Sequence, residues 1–240
     1  MTLKPTIKIF IDFDGTISSK DVGREIFLNF GNKEIAFNIL NDFQNGLISS
    51  KNCWEKLIEN TYLISEQDLN KIIDDIPIDS SFHRFVDFCS REFIDIFIIS
   101  DGFDFYIKRI LKRENLEQIK FFSNVLRLKD GKLSAEFPYF NPDYPRFSNP
   151  KMIHIMDNSS DDDFTIYIGD GNSDTESAQY CDLIFAKDEL LKFCEKNRIS
   201  FYSYKNFDDI QKIIMKLLSR KRLRKSHRAY LKRKFAYEAE

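Results

Sequence analysis

The chain has 240 residues, of which 42% are hydrophobic and 31% charged, and it contains 24 Phe and 10 Tyr. This composition is typical of a globular protein with an aromatic-rich core, large enough for one domain and a smaller second one. No apolar run approaches the ~20 residues of a membrane-spanning helix. The N-terminal stretch lacks a signal-peptide pattern, because its short apolar run already contains Asp12. Membrane-spanning and secreted proteins are therefore disfavoured.

The cysteines indicate the cellular compartment, and the charged residues are unevenly distributed along the chain. Cys53, Cys89, Cys181 and Cys194 are scattered without a CxxC pair, which predicts buried thiols in a reducing compartment and a cytoplasmic location. The net charge of −2 conceals an asymmetry. Residues 216–240 carry ten Lys and Arg and two Glu, while the rest of the chain carries 26 basic and 36 acidic side chains.

Along the chain, strand-like and helix-like segments alternate. Short runs rich in Ile, Phe and Tyr predict buried strands at residues 6–12, 93–100, 164–170, 182–186 and 199–204. Helical patterns follow at residues 103–113, 150–158, 173–180, 188–197 and 206–218. The alternation predicts an α/β fold with a doubly wound, mostly parallel, Rossmann-like sheet. Ligands bind such sheets at the carboxyl ends of the strands.

The interval between the first two strands is too long for a simple crossover, which needs only about a dozen residues. Residues 18–81 read as several helices, with Gly31 as a C-terminal cap and a capping-box spacing from Ser65 to Asp68. We predict that this segment is an inserted α-helical cap domain. The predicted organisation is a catalytic core of residues 1–17 and 82–218, the cap of residues 18–81, and a basic tail of residues 219–240.

A second, smaller insert covers residues 125–150. Its "LKDGKL" stretch, centred on Asp130 and Gly131, predicts a β-hairpin. The part that follows is rich in Pro and aromatic residues and predicts a loop with little regular structure.

Polar residues gather where the predicted strands end. The groups are Asp12 to Thr16 after the first strand, Ser100-Asp101-Gly102 after the second, and Asp170 to Asp174 after the third, with Lys151 at the start of the preceding helix. All of them can converge on one edge of a parallel sheet. Clustered carboxylates repel one another unless a hard cation lies among them, and Mg²⁺ prefers such oxygen ligands. A carboxylate can also attack phosphorus, while hydroxyl, ammonium and backbone N–H groups hold the phosphate oxygens.

The motifs "DFDGT", "IISDG", a lone Lys151 and "IGDGNSD", in that order, resemble the four motifs of the haloacid dehalogenase superfamily. The helical insert after the first motif resembles the C1-capped branch, which includes the phosphoserine phosphatases. Residues 184–210 are similar to this branch's methionine-salvage hydroxy-keto-methylthiopentenyl phosphate phosphatases. The resemblance implies a Mg²⁺-dependent phosphomonoesterase that acts on a small phosphorylated metabolite through an aspartyl-phosphate intermediate.

By this resemblance, the residues after the first and third strands carry the reaction and the metal. Asp12 would be the nucleophile and also a Mg²⁺ ligand. Asp14 would be the general acid/base, with its backbone carbonyl on the metal. Asp170 would be a direct metal ligand, and Asp174 would hold metal-bound water.

The remaining motif residues would hold the phosphate. Thr16 would orient the loop, and Ser100 and Lys151 would bind the transferring phosphate, with Asp101 and Gly102 completing the motif. Asp101 departs from the pattern, because phosphoserine phosphatases usually have Gly there. A carboxylate beside a phosphate is repulsive unless it points away or binds the substrate.

Asp21 falls where phosphoserine phosphatases place a substrate-facing acid, nine residues after the nucleophile. It would then meet an ammonium or hydroxyl group of the substrate. The alternative is a helix N-terminal acid, which the helix dipole favours. The sequence leaves these two interpretations open.

Other functions also fit parts of the pattern. Other haloacid dehalogenase-type reactions include phosphotransfer, phosphonate cleavage and dehalogenation, but Asp14 favours hydrolysis of a phosphate ester, which needs an acid and a base. A response-regulator receiver would be about half this length and would lack the cap. The basic tail, residues 219–240, is either a solvated helix or a contact for RNA or anionic membranes. Nothing in the sequence indicates an obligatory protein partner or an oligomeric state.

Overall fold

The structure is a computed structural model that describes residues 5–238. Within them the chain divides into two compact units. The first comprises residues 5–12, 78–99 and 151–238, and the second comprises residues 13–77 and 100–150. The predicted boundaries at residues 17, 81 and 218 differ from this division, because the second unit contains residues 100–150 in addition to the predicted cap. The three-part organisation stays a prediction.

Seven strands form one sheet in the order β4-β3-β2-β1-β5-β6-β7. They are β1 (Ile7–Ile11), β2 (Asp95–Phe103), β3 (Lys120–Lys129), β4 (Lys132–Glu136), β5 (Phe164–Gly169), β6 (Leu183–Ala186) and β7 (Tyr202–Ser203). β1 pairs in parallel with β2 and β5, β6 pairs in parallel with β5 and β7, and only the β3–β4 pairing is antiparallel among those described. The predicted α/β fold with a mostly parallel sheet is confirmed.

The first unit is built around β1, which is buried along most of its length. Five helices belong to it: α5 (Phe82–Arg91), α7 (Lys151–Asp157), α8 (Asp188–Lys196), α9 (Phe207–Leu218) and α10 (His227–Glu238). In register, Ile11 pairs with Ile98 on β2 and with Ile168 on β5. The residues after Ile11 and Ile168 therefore leave the sheet at the same edge, where the sequence predicts the site.

The second unit holds five helices and the β3–β4 hairpin. The helices are α1 (Val22–Phe30), α2 (Lys33–Gln44), α3 (Ser50–Glu59), α4 (Glu66–Asp74) and α6 (Asp104–Arg113). Ser65 caps α4 by accepting the Asp68 N–H at 3.1 Å, as predicted. The hairpin turns at Asp130 and Gly131, whose φ angles of 51° and 77° suit the predicted Asp-Gly turn.

Two elements differ from their predictions. β2 continues through Ser100, Asp101 and Gly102 to Phe103 and passes directly into α6, so this motif lies within a strand and not after one. Residues 173–180 form two short 3₁₀-helices, Asn172–Asp174 and Ser177–Tyr180, where the sequence predicts one α-helix. The first is held by side-chain hydrogen bonds at Asp174, and periodicity alone does not reveal such bonds.

The basic tail is partly packed. Helix α10 buries Arg233, whose Nη1 donates to the Tyr180 backbone oxygen at 2.8 Å and to Thr165 Oγ1 at 3.3 Å. Just before the helix, the Ser226 N–H donates to Asp182 Oδ1 at 2.9 Å. One face of α10 therefore belongs to the first unit, and contact of the exposed face with RNA or anionic surfaces stays a prediction.

Two findings bear on the predicted environment. The four cysteines are buried free thiols, as the sequence predicts. No helix within residues 5–238 has both the length and the apolar character needed to cross a membrane. The cytoplasmic location stays a prediction.

We expect Arg233→Ala to lower the free energy of unfolding by about 2 kcal/mol, because it leaves buried oxygens without their charged donor. Lys234→Ala, on the exposed side of the same helix, is the matched control and should change stability by less than ~0.5 kcal/mol. Urea unfolding of the full chain measures both. Equal effects would show that the buried face of α10 does not stabilise the first unit.

Candidate active site

A buried lysine lies between two carboxylates of the first unit. Lys151, the first residue of α7, places its Nζ 2.5 Å from Asp12 Oδ1 and 2.6 Å from Asp174 Oδ1. Asp12 directly follows β1, and its N–H continues the sheet by donating to the Ile168 oxygen at 2.9 Å. The structure thus brings together Lys151, Asp12 and Asp174, as the sequence predicts.

Asp174 is held by donors from the chain around it. Its Oδ2 accepts the N–H groups of Asp170 at 3.0 Å and Gly171 at 2.9 Å. Its Oδ1 accepts the Tyr167 hydroxyl at 2.6 Å in addition to the Lys151 ammonium. Gly169 makes this possible, since a Cβ there would lie 2.5 Å from Asp174 Oδ2. The "IGDGNSD" motif therefore supplies both the Asp174 carboxylate and the backbone N–H groups that bind it.

Asp170 completes an acidic cluster. Asp12, Asp170 and Asp174 each offer a carboxylate oxygen, and these oxygens lie within 4.8 Å of one another. Burial and the Asp174 charge raise the pKa of Asp12 well above its ordinary value, although Lys151 opposes this. Burial lowers the pKa of Lys151, but the charges of Asp12 and Asp174 outweigh it and raise that pKa.

The chemistry of this donor set fits a divalent cation. Three carboxylates and one ammonium carry two excess negative charges, and hard oxygen ligands at this spacing suit Mg²⁺. Burial is the main cause of the raised pKa of Asp12, and the charges of Asp174 and Asp170 add to it. Asp12, Asp170 and Asp174 are therefore the residues that could hold the metal.

A second cluster, in the second unit, surrounds Asp14. Its Oδ1 accepts the Val22 N–H at 2.8 Å, and its Oδ2 accepts the Tyr106 hydroxyl at 2.7 Å and the Ser100 hydroxyl at 3.3 Å. Ser100 Oγ in turn accepts the Gly102 N–H at 2.9 Å. Burial, and then the charge of Asp14, raise the pKa of Tyr106 well above its ordinary value, so this phenol is a neutral donor.

The Asp101 carboxylate anchors a loop. Its Oδ1 accepts the Ser148 hydroxyl at 2.6 Å and the Asn149 N–H at 2.9 Å. The Asp101 backbone oxygen accepts Trp54 Nε1 at 2.9 Å and Asn124 Nδ2 at 2.7 Å. This accounts for the departure at Asp101, because its side chain is committed to the loop that leads into Lys151. Phosphate binding by Asp101 stays a prediction.

The last two predicted residues lie between Asp14 and the start of α1. Thr16 is buried, and its N–H donates to the Phe13 oxygen at 3.3 Å. Asp21 is exposed and caps α1 by accepting the Arg24 N–H at 2.8 Å. The helix N-terminal role is thus seen at Asp21, while the substrate-facing role stays a prediction.

Sequence reasoning missed the residues that hold the acids. Tyr106 and Tyr167 lie within aromatic-rich segments and read as ordinary core, yet each donates its hydroxyl to a carboxylate. A usable signal was present, because a buried tyrosine hydroxyl needs a partner and both residues lie within a few positions of a motif. The Asp101 partners had no comparable signal, because Ser148 and Asn149 lie in an irregular loop that gives no register and Asn124 is a single polar residue within β3.

A mostly parallel α/β sheet with acids after its strands, and a buried lysine at the start of the helix before β5, is typical of phosphatases of the haloacid dehalogenase type. The sequence model of the phosphatase family described as "Putative Phosphatase" matches residues 7–137, more than half of the chain. The chain belongs to this family, which confirms the predicted superfamily and the predicted phosphoric monoester hydrolase.

Individual proteins extend this similarity over most of the chain. Pdp3-interacting factor 1 of Schizosaccharomyces pombe is 29% identical over 90% of this chain and 98% of its own length. A 2-hydroxy-3-keto-5-methylthiopentenyl-1-phosphate phosphatase of Bacillus cereus is 26% identical over 89% of this chain and 98% of its own length.

Solved structures share the fold at lower identity. A hydrolase of the same superfamily from Salmonella enterica serovar Typhi has a TM-score of 0.70 at 18% identity, covering 87% of this chain and 71% of its own. A phosphoserine phosphatase solved as a phospho-aspartyl intermediate analogue has a TM-score of 0.65 at 20% identity, covering 88% of this chain and 99% of its own.

We expect Asp101→Ala to lower the free energy of unfolding by ~1–3 kcal/mol, because the Ser148 hydroxyl and the Asn149 N–H lose their acceptor inside the protein. Asp101→Asn keeps a carbonyl oxygen at this position and should cost less than about 1 kcal/mol. Urea unfolding of both variants measures the difference. Losses of the same size would mean that the acceptor at Asp101 does not secure the loop.

Proposed function

We propose that the protein is a Mg²⁺-dependent phosphomonoesterase that cleaves a small phosphorylated metabolite through a phosphorylated Asp12. The buried arrangement of Asp12 and Asp174 around Lys151, with Asp14 two residues further along the chain, carries this proposal. Asp12 is the proposed nucleophile because it directly follows β1 at the sheet edge where ligands bind. Asp14 is close enough along the chain to serve the same phosphoryl group.

Asp12, Asp170 and Asp174 would hold the metal, with the Asp14 backbone carbonyl as a further proposed ligand. A bound Mg²⁺ would offset the excess negative charge and draw off the charge of the phosphoryl oxygens. Asp174 is fixed by donors at both oxygens, so its proposed role is to hold a water on the metal.

In the first step, a carboxylate oxygen of Asp12 attacks phosphorus. The new O–P bond forms as the bond to the leaving oxygen breaks, and that electron pair stays on the leaving oxygen. Protonated Asp14 supplies a proton to this oxygen, so the alcohol leaves neutral. Lys151 offsets the charge at Asp12 while the dianionic substrate approaches.

In the second step, a water oxygen attacks the phosphorus held on Asp12. Asp14, now a carboxylate, takes the proton from the water, and the bond between phosphorus and Asp12 breaks with its electron pair returning to the carboxylate. Inorganic phosphate leaves and Asp14 is protonated again. The two steps balance as hydrolysis of one phosphate ester.

The proposed phosphate contacts come from the predicted motif. The Ser100 hydroxyl and the Lys151 ammonium bind phosphate oxygens, and Thr16 fixes the turn after Asp14. Gly102 gives its N–H to Ser100 Oγ and so orients that hydroxyl. The fixed donors act as an oxyanion-type site for phosphoryl transfer.

The substrate proposed for the first assay is 2-hydroxy-3-keto-5-methylthiopentenyl-1-phosphate, because a relative named for that compound matches along 89% of this chain. The second substrate proposed for assay is O-phosphoserine, because the chain shares its fold with a phosphoserine phosphatase. Asp21 is proposed to face the leaving group, since this cap residue of α1 is exposed and a carboxylate can accept from a hydroxyl or amine. Other transfer reactions of the superfamily remain the alternative function.

We expect chelation by EDTA to abolish phosphatase activity and added Mg²⁺ to restore it. Asp170→Asn should weaken the apparent Mg²⁺ affinity by at least about tenfold, the scale of losing a ligand or its support. Asp157→Asn, an exposed acid of the same unit, is the control and should leave that affinity unchanged. Full activity in a metal-stripped sample would contradict the proposal.

We expect Asp12→Asn to be folded but inactive, because the amide is a poor nucleophile of the same shape. Asp14→Asn should lose most turnover, by at least about a hundredfold, since it cannot transfer the proton. Rapid quenching with ³²P-labelled substrate should trap phosphate on the Asp14→Asn protein and none on the Asp12→Asn protein. Near wild-type turnover of Asp12→Asn would show that the nucleophile lies elsewhere.

A further inference from the structure

Tyr106 is a buried tyrosine to which the reaction scheme assigns no role. It lies in the first turn of α6 with no exposed surface. Its ring contacts Phe13 and Phe103, with centroids 6.1 and 6.5 Å away, so the phenol has little freedom to rotate. The hydroxyl lies 2.7 Å from Asp14 Oδ2.

Gly102 makes room for this contact. A Cβ on Gly102 would lie 1.7 Å from the Tyr106 hydroxyl oxygen and 2.6 Å from Asp14 Oδ2. Any other residue at position 102 would therefore displace the phenol or the carboxylate. The glycine of the "SDG" stretch serves the pairing of Tyr106 with Asp14.

The carboxylate of Asp14 is held at both oxygens. The Val22 N–H fixes Oδ1, and the Tyr106 hydroxyl fixes Oδ2. Ser100 also reaches Oδ2, but at 3.3 Å, and its oxygen accepts another N–H. Two short hydrogen bonds to different oxygens fix the plane of the Asp14 carboxylate. One comes from the Val22 backbone and the other from the Tyr106 side chain.

We infer that Tyr106 is a positioning residue that holds Asp14 in the orientation for proton transfer to the leaving oxygen. The inference rests on the proposed acid/base role of Asp14. A neutral phenol suits this task, because it orients the carboxylate without the charge compensation that a lysine or arginine would bring.

Proton transfer matters most when the leaving oxygen is basic, which gives the inference its own kinetic signature. Phenyl phosphate and p-nitrophenyl phosphate share a shape, but phenolate is the more basic leaving group. The value of kcat/KM for each reports the first phosphorylation and excludes the later hydrolysis. Their ratio on one preparation is independent of the folded fraction.

The experiment compares both substrates on Tyr106→Phe, Asp14→Asn and Tyr167→Phe, with Mg²⁺ saturating. Tyr106→Phe should lower kcat/KM for phenyl phosphate about tenfold and for p-nitrophenyl phosphate less than about threefold. Asp14→Asn should show the same selectivity with larger losses. Tyr167→Phe removes a hydroxyl that holds Asp174 and should lower both values by equal factors.

The outcomes separate the inference from the proposal beneath it. Equal losses on both substrates for Tyr106→Phe, or a gain with phenyl phosphate, would overturn the positioning role if Asp14→Asn remains selective. A gain would mean that Tyr106 holds Asp14 away from the leaving group. Loss of selectivity in Asp14→Asn would instead overturn the acid/base role of Asp14.

Discussion

The site depends on one buried ion pair network, Lys151 between Asp12 and Asp174. Removing three charges from water costs several kcal/mol for each ion, so the arrangement persists only because the charges meet at hydrogen-bonding distance. One ammonium cannot balance the acids that gather there. The fold therefore holds a net negative charge at this edge of the sheet, and a bound cation would compensate that charge.

The charge is kept in place by backbone and small residues. Asp174 takes two N–H groups from its own loop, and the absence of a side chain at Gly169 allows the carboxylate to lie against β5. Asp101 secures the loop before Lys151 through Ser148 and Asn149. From sequence, the negative charge of Asp101 next to a phosphate-binding motif suggests repulsion. In the structure its carboxylate instead accepts the hydrogen bonds that hold the loop before Lys151.

Much of the fold could be predicted from sequence because its signals are local. Continuous apolar runs predicted β1 and β5, and the Asp130-Gly131 turn predicted the hairpin. The extent of β2 could not be predicted, since the polar residues Ser100 and Asp101 suggest a strand end when their partners are unknown. Those partners lie in a helix, a strand and a loop elsewhere in the chain, and no periodicity in the sequence indicates the contacts.

The candidate site divides in the same way. The acids stand out in sequence because apolar strands seldom end on acids without a purpose, whereas Lys151 is recognised only by its place in the order of the motifs. The residues that hold these acids do not stand out, because in sequence Tyr106 and Tyr167 look like ordinary aromatic core residues. In each case the ring supplies packing while the hydroxyl supplies direction to an acid.

A tyrosine differs in kind from the lysine as a partner for these carboxylates. An ammonium changes the charge of the site as well as its geometry, whereas a phenol changes mainly the geometry. The Tyr106 hydroxyl orients Asp14, and the Tyr167 hydroxyl orients Asp174, without adding a positive charge beside either acid. Lys151 is shared by Asp12 and Asp174, and in the proposed mechanism its charge aids the approach of a phosphate dianion to Asp12.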